Sequence, residues 1–487
     1  MIFKQYYLGC LSHASYLIGD QATGRAVIVD PQRDIAAYID DADASGLRIE
    51  RVIETHFHAD FLSGHLELAE ATGAVISYGE AAAGRTEFAI DVLHDGQRLG
   101  LGDVTLEIRA TPGHTPESIS VVVFERADDT APHAVLTGDT LFIGDVGRPD
   151  LLASEGASAD DLARQLYHSL HEQLLSLPDD TLVYPAHGAG SACGKNLSTD
   201  TVSTIGDQRR NNYALAPMTE DAFVDVVTQG QAAAPMYFAY AANRNRQTRD
   251  TLDQHDTTIT LDLAGLLDAQ HHGATVLDSR DANDFAAGHL RGSINVGLGG
   301  RFAEYAGEVI RAGTPIVLVT DPGHEEEARI RLARIGFDNI VGALDEPLAN
   351  FAAYPDLIER ASRLTAQQLQ QRRTQLKSIQ IVDVRSPGEI ESGTIDGARH
   401  VQLPQLIDRL DELDPTLPTV VYCAGGYRSS IAASALTAHG FTDVSDLLGG
   451  YPAWANLQPT RPNRNRSDDH TRTPHPSHRT SRPSDDA

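Results

Sequence analysis

Two segments in the second half of this chain repeat each other, and the repeat restricts the fold more than any other feature. VLDSRDANDFAAGHLRGSINV at 276–296 aligns with IVDVRSPGEIESGTIDGARHV at 381–401, and in each an Asp (Asp278, Asp383) stands the same distance before a Gly (Gly288, Gly393). Each copy continues into a second apolar run, IVLVT at 316–320 and TVVYC at 419–423, then a loop and a helical stretch, ARIRLARIGF at 328–337 and SSIAASALTAHGF at 429–441. Strand, loop and helix recurring in this order predict two parallel-sheet α/β units, over 255–355 and 362–458. A chain of 487 residues exceeds one core. Residues 1–250 therefore form a further unit, also α/β, since runs such as AVIVD at 26–30 and VTLEI at 104–108 alternate with helical stretches such as HLELAEATG at 65–73. Residues 459–487, rich in Arg, Pro and Ser without apolar periodicity, read as a disordered tail.

Charge removes several function classes. Lys plus Arg number 39 against 68 Asp plus Glu, a formal charge of −29 that repels nucleic acid and anionic membranes. Three cysteines, Cys10, Cys193 and Cys423, are too few for a disulfide framework and fit a reducing compartment, so a cytoplasmic location is expected. The N-terminus lacks the pattern of a signal peptide, and no apolar run is long enough to span a membrane.

Chemistry-bearing residues cluster after apolar runs in the first unit. ETHFHADFLSGH at 54–65 places His56, His58 and Asp60 in one loop; ATPGHTPES at 110–118 adds His114; AVLTGDTLF at 134–142 adds Asp139; YPAHG at 184–188 adds His187. Four strand-end loops each deliver His or Asp, the ligands of a divalent first-row metal. HxHxD, PGHT, GD and PAHG in this order resemble the metallo-β-lactamase fold, an αββα sandwich with metal at its strand ends. Hydrolases of that family carry HxHxDH, whereas Phe61 follows Asp60 here, which argues against a binuclear hydrolytic centre.

THFHADF, PGHTPES and TGDTLFIGDVGRPDL are similar instead to the persulfide dioxygenase branch. That resemblance implies one Fe(II) per chain held by His56, His114 and Asp139, with His58, Asp60 and His187 around the ligands and Arg148 offering its guanidinium fork to an anionic substrate. Where dioxygenases acting on glutathione persulfide place a Tyr, this chain has Ala189, which counts against glutathione as the thiol carrier.

The last unit carries a second constellation. Cys423 ends the strand TVVYC and opens the loop Ala424, Gly425, Gly426, Tyr427, Arg428 before a helix. Inward N–H groups, the positive helix end and an Arg stabilise a thiolate or a persulfide there. CxxxxR after IVDVR resembles the rhodanese sulfurtransferases, which implies that Cys423 accepts a sulfane sulfur and passes it on. The middle copy has Asp321 at this place, and a carboxylate cannot carry sulfane sulfur, so it reads as an inactive scaffold. Cys193 in GSACGKN has two readings: a catalytic persulfide relay favoured by nearby Lys195, or a packing residue.

The expected protein is therefore a sulfide-detoxifying enzyme in which Fe(II) and O₂ oxidise a persulfide or polysulfide to sulfite and Cys423 transfers sulfur to sulfite, giving thiosulfate. The order of the two steps is open, and a homo-oligomer is expected. The competing reading is a zinc-dependent thioester hydrolase of the glyoxalase II type whose rhodanese-like units only bind sulfur.

Overall fold

A computed structural model describes residues 1–151, 156 and 158–457. The tail expected over 459–487, and residue 458, lie outside the described residues.

Residues Ile2–Leu8, His13–Asp20, Arg25–Val29, Arg48–Ile53, Val75–Gly79 and Asp91–Leu93 form one six-stranded sheet in that order. Ser203–Thr204, Leu182–Pro185, Ala134–Gly138, Ile119–Phe124, Thr105–Ala110 and Arg98–Gly100 form a second. Their facing side chains, among them Tyr16, Ile18, Val27, Val29, Val121, Val123 and Leu136, make one core. Leu17, Ile28 and Val52 point to the other face of the first sheet and pack with Tyr38 of the helix Ala36–Ala44 and Leu68 of His65–Thr72. Val122 and Phe124 on the outer face of the second sheet pack against Leu166 and Phe223 from Ala159–His168 and Glu220–Thr228. Strands covered on both faces read as continuous apolar runs, which is why ISVVVF is buried throughout. The layers are α, β, β, α.

The two repeats fold alike. Thr260–Leu261, Ile340–Leu344, Ile316–Val319, Thr275–Asp278 and Ile294–Asn295 form one sheet; Ser362–Leu364, Val444–Leu447, Thr419–Tyr422, Gln380–Asp383 and Arg399–His400 form the other in the corresponding order. All pairings in both sheets are parallel. The repeated Asp and Gly have one physical cause. Asp278 binds Arg280, whose Nη2 donates to the Gly288 carbonyl at 3.0 Å; Asp383 binds Arg385, whose Nη2 donates to the Gly393 carbonyl at 2.7 Å. In each copy a buried ion pair thus ties a strand end to the turn that follows. The helix expected at 328–337 runs Glu325–Ala333 and that at 429–441 runs Tyr427–Ala438, because both start inside the preceding loop.

The units share a core. One apolar cluster joins Phe61 and Cys193, Phe302 and Phe337, and Val421 and Cys423. Arg334 pairs with Asp34 at 2.6 Å, the Ser434 hydroxyl accepts from the Asn295 N–H at 2.9 Å, and Gln402 Oε1 accepts from the Ala233 N–H at 2.9 Å.

Candidate metal centre and cysteine cradle

Four strand-end loops converge as the sequence spacing implies. His56 follows Arg48–Ile53, His114 follows Thr105–Ala110, Asp139 follows Ala134–Gly138 and His187 follows Leu182–Pro185. Gly138 lies at φ +50° with the Thr55 side chain 2.7 Å from where a Cβ would stand, so only glycine brings Asp139 to this rim.

One ligand atom each of His56, His114 and Asp139 lies within 4.8 Å of the other two, and all three residues are buried. His114 Nδ1 sits 2.9 Å from the Arg148 carbonyl, which only accepts, so Nδ1 carries the hydrogen and Nε2 the lone pair. The Thr55 hydroxyl donates to Asp30 Oδ2 at 2.9 Å and accepts from His56 Nδ1 at 3.0 Å, which likewise bares His56 Nε2. Burial lowers the pKa of both rings, keeping them neutral. Asp139 Oδ2 stands 3.8 Å from His56 Nε2 and 3.5 Å from His114 Nε2. His56 Nε2 and Asp139 Oδ2 are buried without any hydrogen-bond partner. Two neutral imidazoles and a carboxylate with their lone pairs aimed at one point suit a divalent metal with open coordination positions.

The surrounding groups hold this set. His187 places Nδ1 2.6 Å from Asp139 Oδ1 and Nε2 2.7 Å from Asp60 Oδ2. Burial disfavours charge on this ring, but the two carboxylates outweigh it and raise its pKa well above the ordinary value. Burial would raise the Asp139 pKa, and His187 reverses this. His58 turns to Asp30 at 3.0 Å and Glu54 at 3.5 Å, its ring against His56. His13, Asp30, Glu54 and Thr55 belong to this buried layer; His13 and Asp30 carried no motif to mark them, and Glu54 and Thr55 stand at the head of the His56 motif. The Phe61 ring covers His13 and His58, with centroids 4.0 and 4.4 Å away.

Two basic side chains near the centre are already partnered. Arg148 offers no free fork: its guanidinium binds both oxygens of Asp150 at 2.7 Å and donates to the carbonyls of Ala192 at 3.2 Å and Ala232 at 2.8 Å. It is 3% exposed, and its own carbonyl orients His114. Lys195 does not favour a Cys193 thiolate, because its ammonium donates to the Val226 and Gln229 carbonyls. Burial pushes the Cys193 thiol well above its ordinary range, and Asp60 and Asp139 add to it. Cys193, Asp60 and His187 nonetheless bring ligand atoms within 4.8 Å of one another.

Cys423 lies at the end of Thr419–Tyr422, buried, and its Sγ accepts from the Gly426 N–H at 3.0 Å, with the Ser429 hydroxyl 3.5 Å away. The helix Tyr427–Ala438 begins there with its positive end toward the sulfur. Ala424 and Gly425 complete the turn, and the Tyr427 hydroxyl leaves it to donate to the Gly297 carbonyl of the middle unit at 2.8 Å. Arg428 forms a fork with Glu389 at 2.7 and 2.6 Å.

A ligand set at the strand ends of an αββα sandwich, followed by two parallel sheets of one order, defines a metallo-β-lactamase-fold protein with rhodanese-like domains. Residues 8–187 match the metallo-beta-lactamase superfamily and residues 262–353 and 365–457 the rhodanese-like domain; the chain belongs to the metallo-β-lactamase superfamily. It is 32% identical over 237 residues to the human mitochondrial persulfide dioxygenase ETHE1, covering 47% of this chain and 82% of that one. A crystallised metallo-beta-lactamase from Staphylococcus aureus is 34% identical, with a TM-score of 0.64 over 71% of this chain and 99% of that one. The cytoplasmic hydroxyacylglutathione hydrolase of Arabidopsis thaliana is 33% identical over 186 residues, 38% of this chain and 67% of that one. The chain is accordingly an enzyme of metal-binding fold, and among the described residues no helix is long and apolar enough to cross a membrane.

Proposed function

We propose that the chain is an iron-dependent persulfide dioxygenase joined to a sulfurtransferase, with the first activity in residues 1–250, the second in 362–458, and a middle unit, 255–355, that transfers no sulfur. The observation that carries the reading is the buried, neutral pair His56 and His114 with Asp139, His56 Nε2 and Asp139 Oδ2 unpartnered, beside Phe61 in place of a further imidazole. The similarity to ETHE1 supports it.

When bound, Fe(II) supplies open coordination positions for O₂ and the terminal sulfur and the electrons that activate O₂. The chain's own residues do the rest. His187 holds a proton between Asp139 and Asp60 and fixes the Asp139 carboxylate. Thr55 and the Arg148 carbonyl fix the two imidazoles. His13 and Phe61 pack against His58 beside the centre. The net reaction is RSSH + O₂ + H₂O → RSH + H₂SO₃. In the second activity the Cys423 thiolate attacks the outer sulfur of another persulfide, releasing RS⁻, and sulfite takes that sulfur to give thiosulfate and regenerate the thiolate. The Gly426 N–H and the helix end stabilise the anionic sulfur in both states.

The test is anaerobically prepared, iron-loaded protein given several persulfides, with O₂ uptake, sulfite and thiosulfate measured together. O₂ consumed in proportion to sulfite is expected. Zinc as the working metal with no O₂ uptake, as a thioester hydrolase would give, overturns the dioxygenase reading. Cys423→Ser is expected to abolish thiosulfate formation while sparing O₂ uptake; thiosulfate at the normal rate would overturn the transferase reading.

A further inference from the structure

Where the three units meet lies a cavity of about 410 Å³ with walls from all of them. The first unit contributes Ala192 and Gly194, the residues on either side of Cys193; the third contributes Arg428 from the cysteine loop; the middle unit contributes Arg301, Tyr305 and Glu308. The cavity thus borders the loop fixed to Arg148 and, through Arg148, to the ligand His114, as well as the Cys423 cradle. Its size is that of a small-molecule cleft.

The charges in its wall define what it can hold. Arg428 is committed to Glu389, Arg301 to Glu304, and Lys195 to two backbone carbonyls. Glu308 is different: it is 6% exposed, lines the cavity, and its Oε2 has no partner. Burial pushes its carboxyl up to about 7, against the pull of Arg301 and Arg428. A buried carboxyl oxygen without a donor is a rare and costly arrangement that a ligand N–H would relieve. A phosphate-bearing carrier would find these cations already paired.

We propose that this cavity binds the low-molecular-weight thiol carrier of the persulfide, and that Glu308 receives the ammonium group of a carrier built on an amino acid. The proposal rests on the persulfide-oxidising reading and gives the middle copy, which lacks the cysteine, a part in substrate recognition. The carrier then docks against one wall shared by the metal-centre loop and the Cys423 loop.

The test uses the full chain and two thiols that differ only by the ammonium group, cysteinylglycine and 3-mercaptopropionylglycine, titrated calorimetrically without O₂. The wild type is expected to bind cysteinylglycine about tenfold more tightly or better, the range of a charge-assisted hydrogen bond. Glu308→Gln is expected to remove that preference and leave the 3-mercaptopropionylglycine affinity within about twofold. Equal affinities in the wild type, no binding of either thiol, or a preference that survives Glu308→Gln would overturn the proposal. The wild-type comparison stands even if the variant misfolds. Because no oxidation is measured, a chain that discriminates the thiols but consumes no O₂ with persulfide would fail the dioxygenase reading and keep the site.

Discussion

Arg148→Lys separates a structural role from a substrate-binding one. The guanidinium makes four hydrogen bonds, two to Asp150 and one each to the Ala192 and Ala232 carbonyls. An ammonium at the end of a straight stem reaches Asp150 but neither carbonyl in addition, so two bonds from a charged donor are lost. At roughly 1.5 kcal/mol each the local structure weakens by about 3 kcal/mol. The loosened segment carries the carbonyl that orients His114, and loss of such support costs about 10–100-fold in metal affinity. Anaerobic competition of apo-protein against a chromophoric Fe(II) chelator reads this directly. The expected result is an affinity lower by at least about tenfold with the fold retained. Unchanged iron affinity with only a raised KM for persulfide would refute the reasoning and restore Arg148 as a substrate anchor.

Three further outcomes are expected. Burial would raise the Glu389 pKa, but the Arg428 fork and the Ser386 backbone and hydroxyl hold it down to about 2, so the pair's stabilisation is full above about pH 4.5, where the unfolded carboxyl ionises, and is lost as pH falls toward 2. Acid unfolding followed by circular dichroism should show Glu389→Gln missing that part of the wild-type pH dependence; parallel curves would contradict the pairing. Gly450→Ala should destroy sulfur transfer and cost about 2–4 kcal/mol in chemical denaturation, since its Cβ would stand 2.2 Å from the Cys423 carbonyl at φ +57°; normal transferase activity would show that the cradle tolerates displacement. Asp321→Ala should leave O₂ uptake and thiosulfate formation within about twofold, surface changes away from special features being small, and a loss of either would give the middle loop a chemical role.

The sequence by itself determined the repeat, because Asp278 with Arg280 and Asp383 with Arg385 each tie a strand end to a turn at fixed separation. It placed the candidate residues as well: His56, His114, Asp139 and His187 follow apolar runs, and a strand end in an α/β layer delivers its next residues to one rim. Cys423 was legible for the same reason, with a glycine loop and a helix start adjacent in the chain. Tertiary structure alone decided what these side chains face. Arg148 and Lys195 look available in sequence, but Asp150 two residues on and carbonyls distant in the chain, those of Ala192 and Ala232 for Arg148 and of Val226 and Gln229 for Lys195, claim them. His13 and Asp30 are ordinary residues locally and become part of the metal-centre layer only because sheet pairing sets their strands beside the one that leads to His56. Glu308 lies in an unremarkable helix until packing of the three units buries it and leaves one oxygen without a donor. Periodicity and spacing are local properties that the chain carries with it, whereas burial and pairing between distant residues exist only after the units have packed.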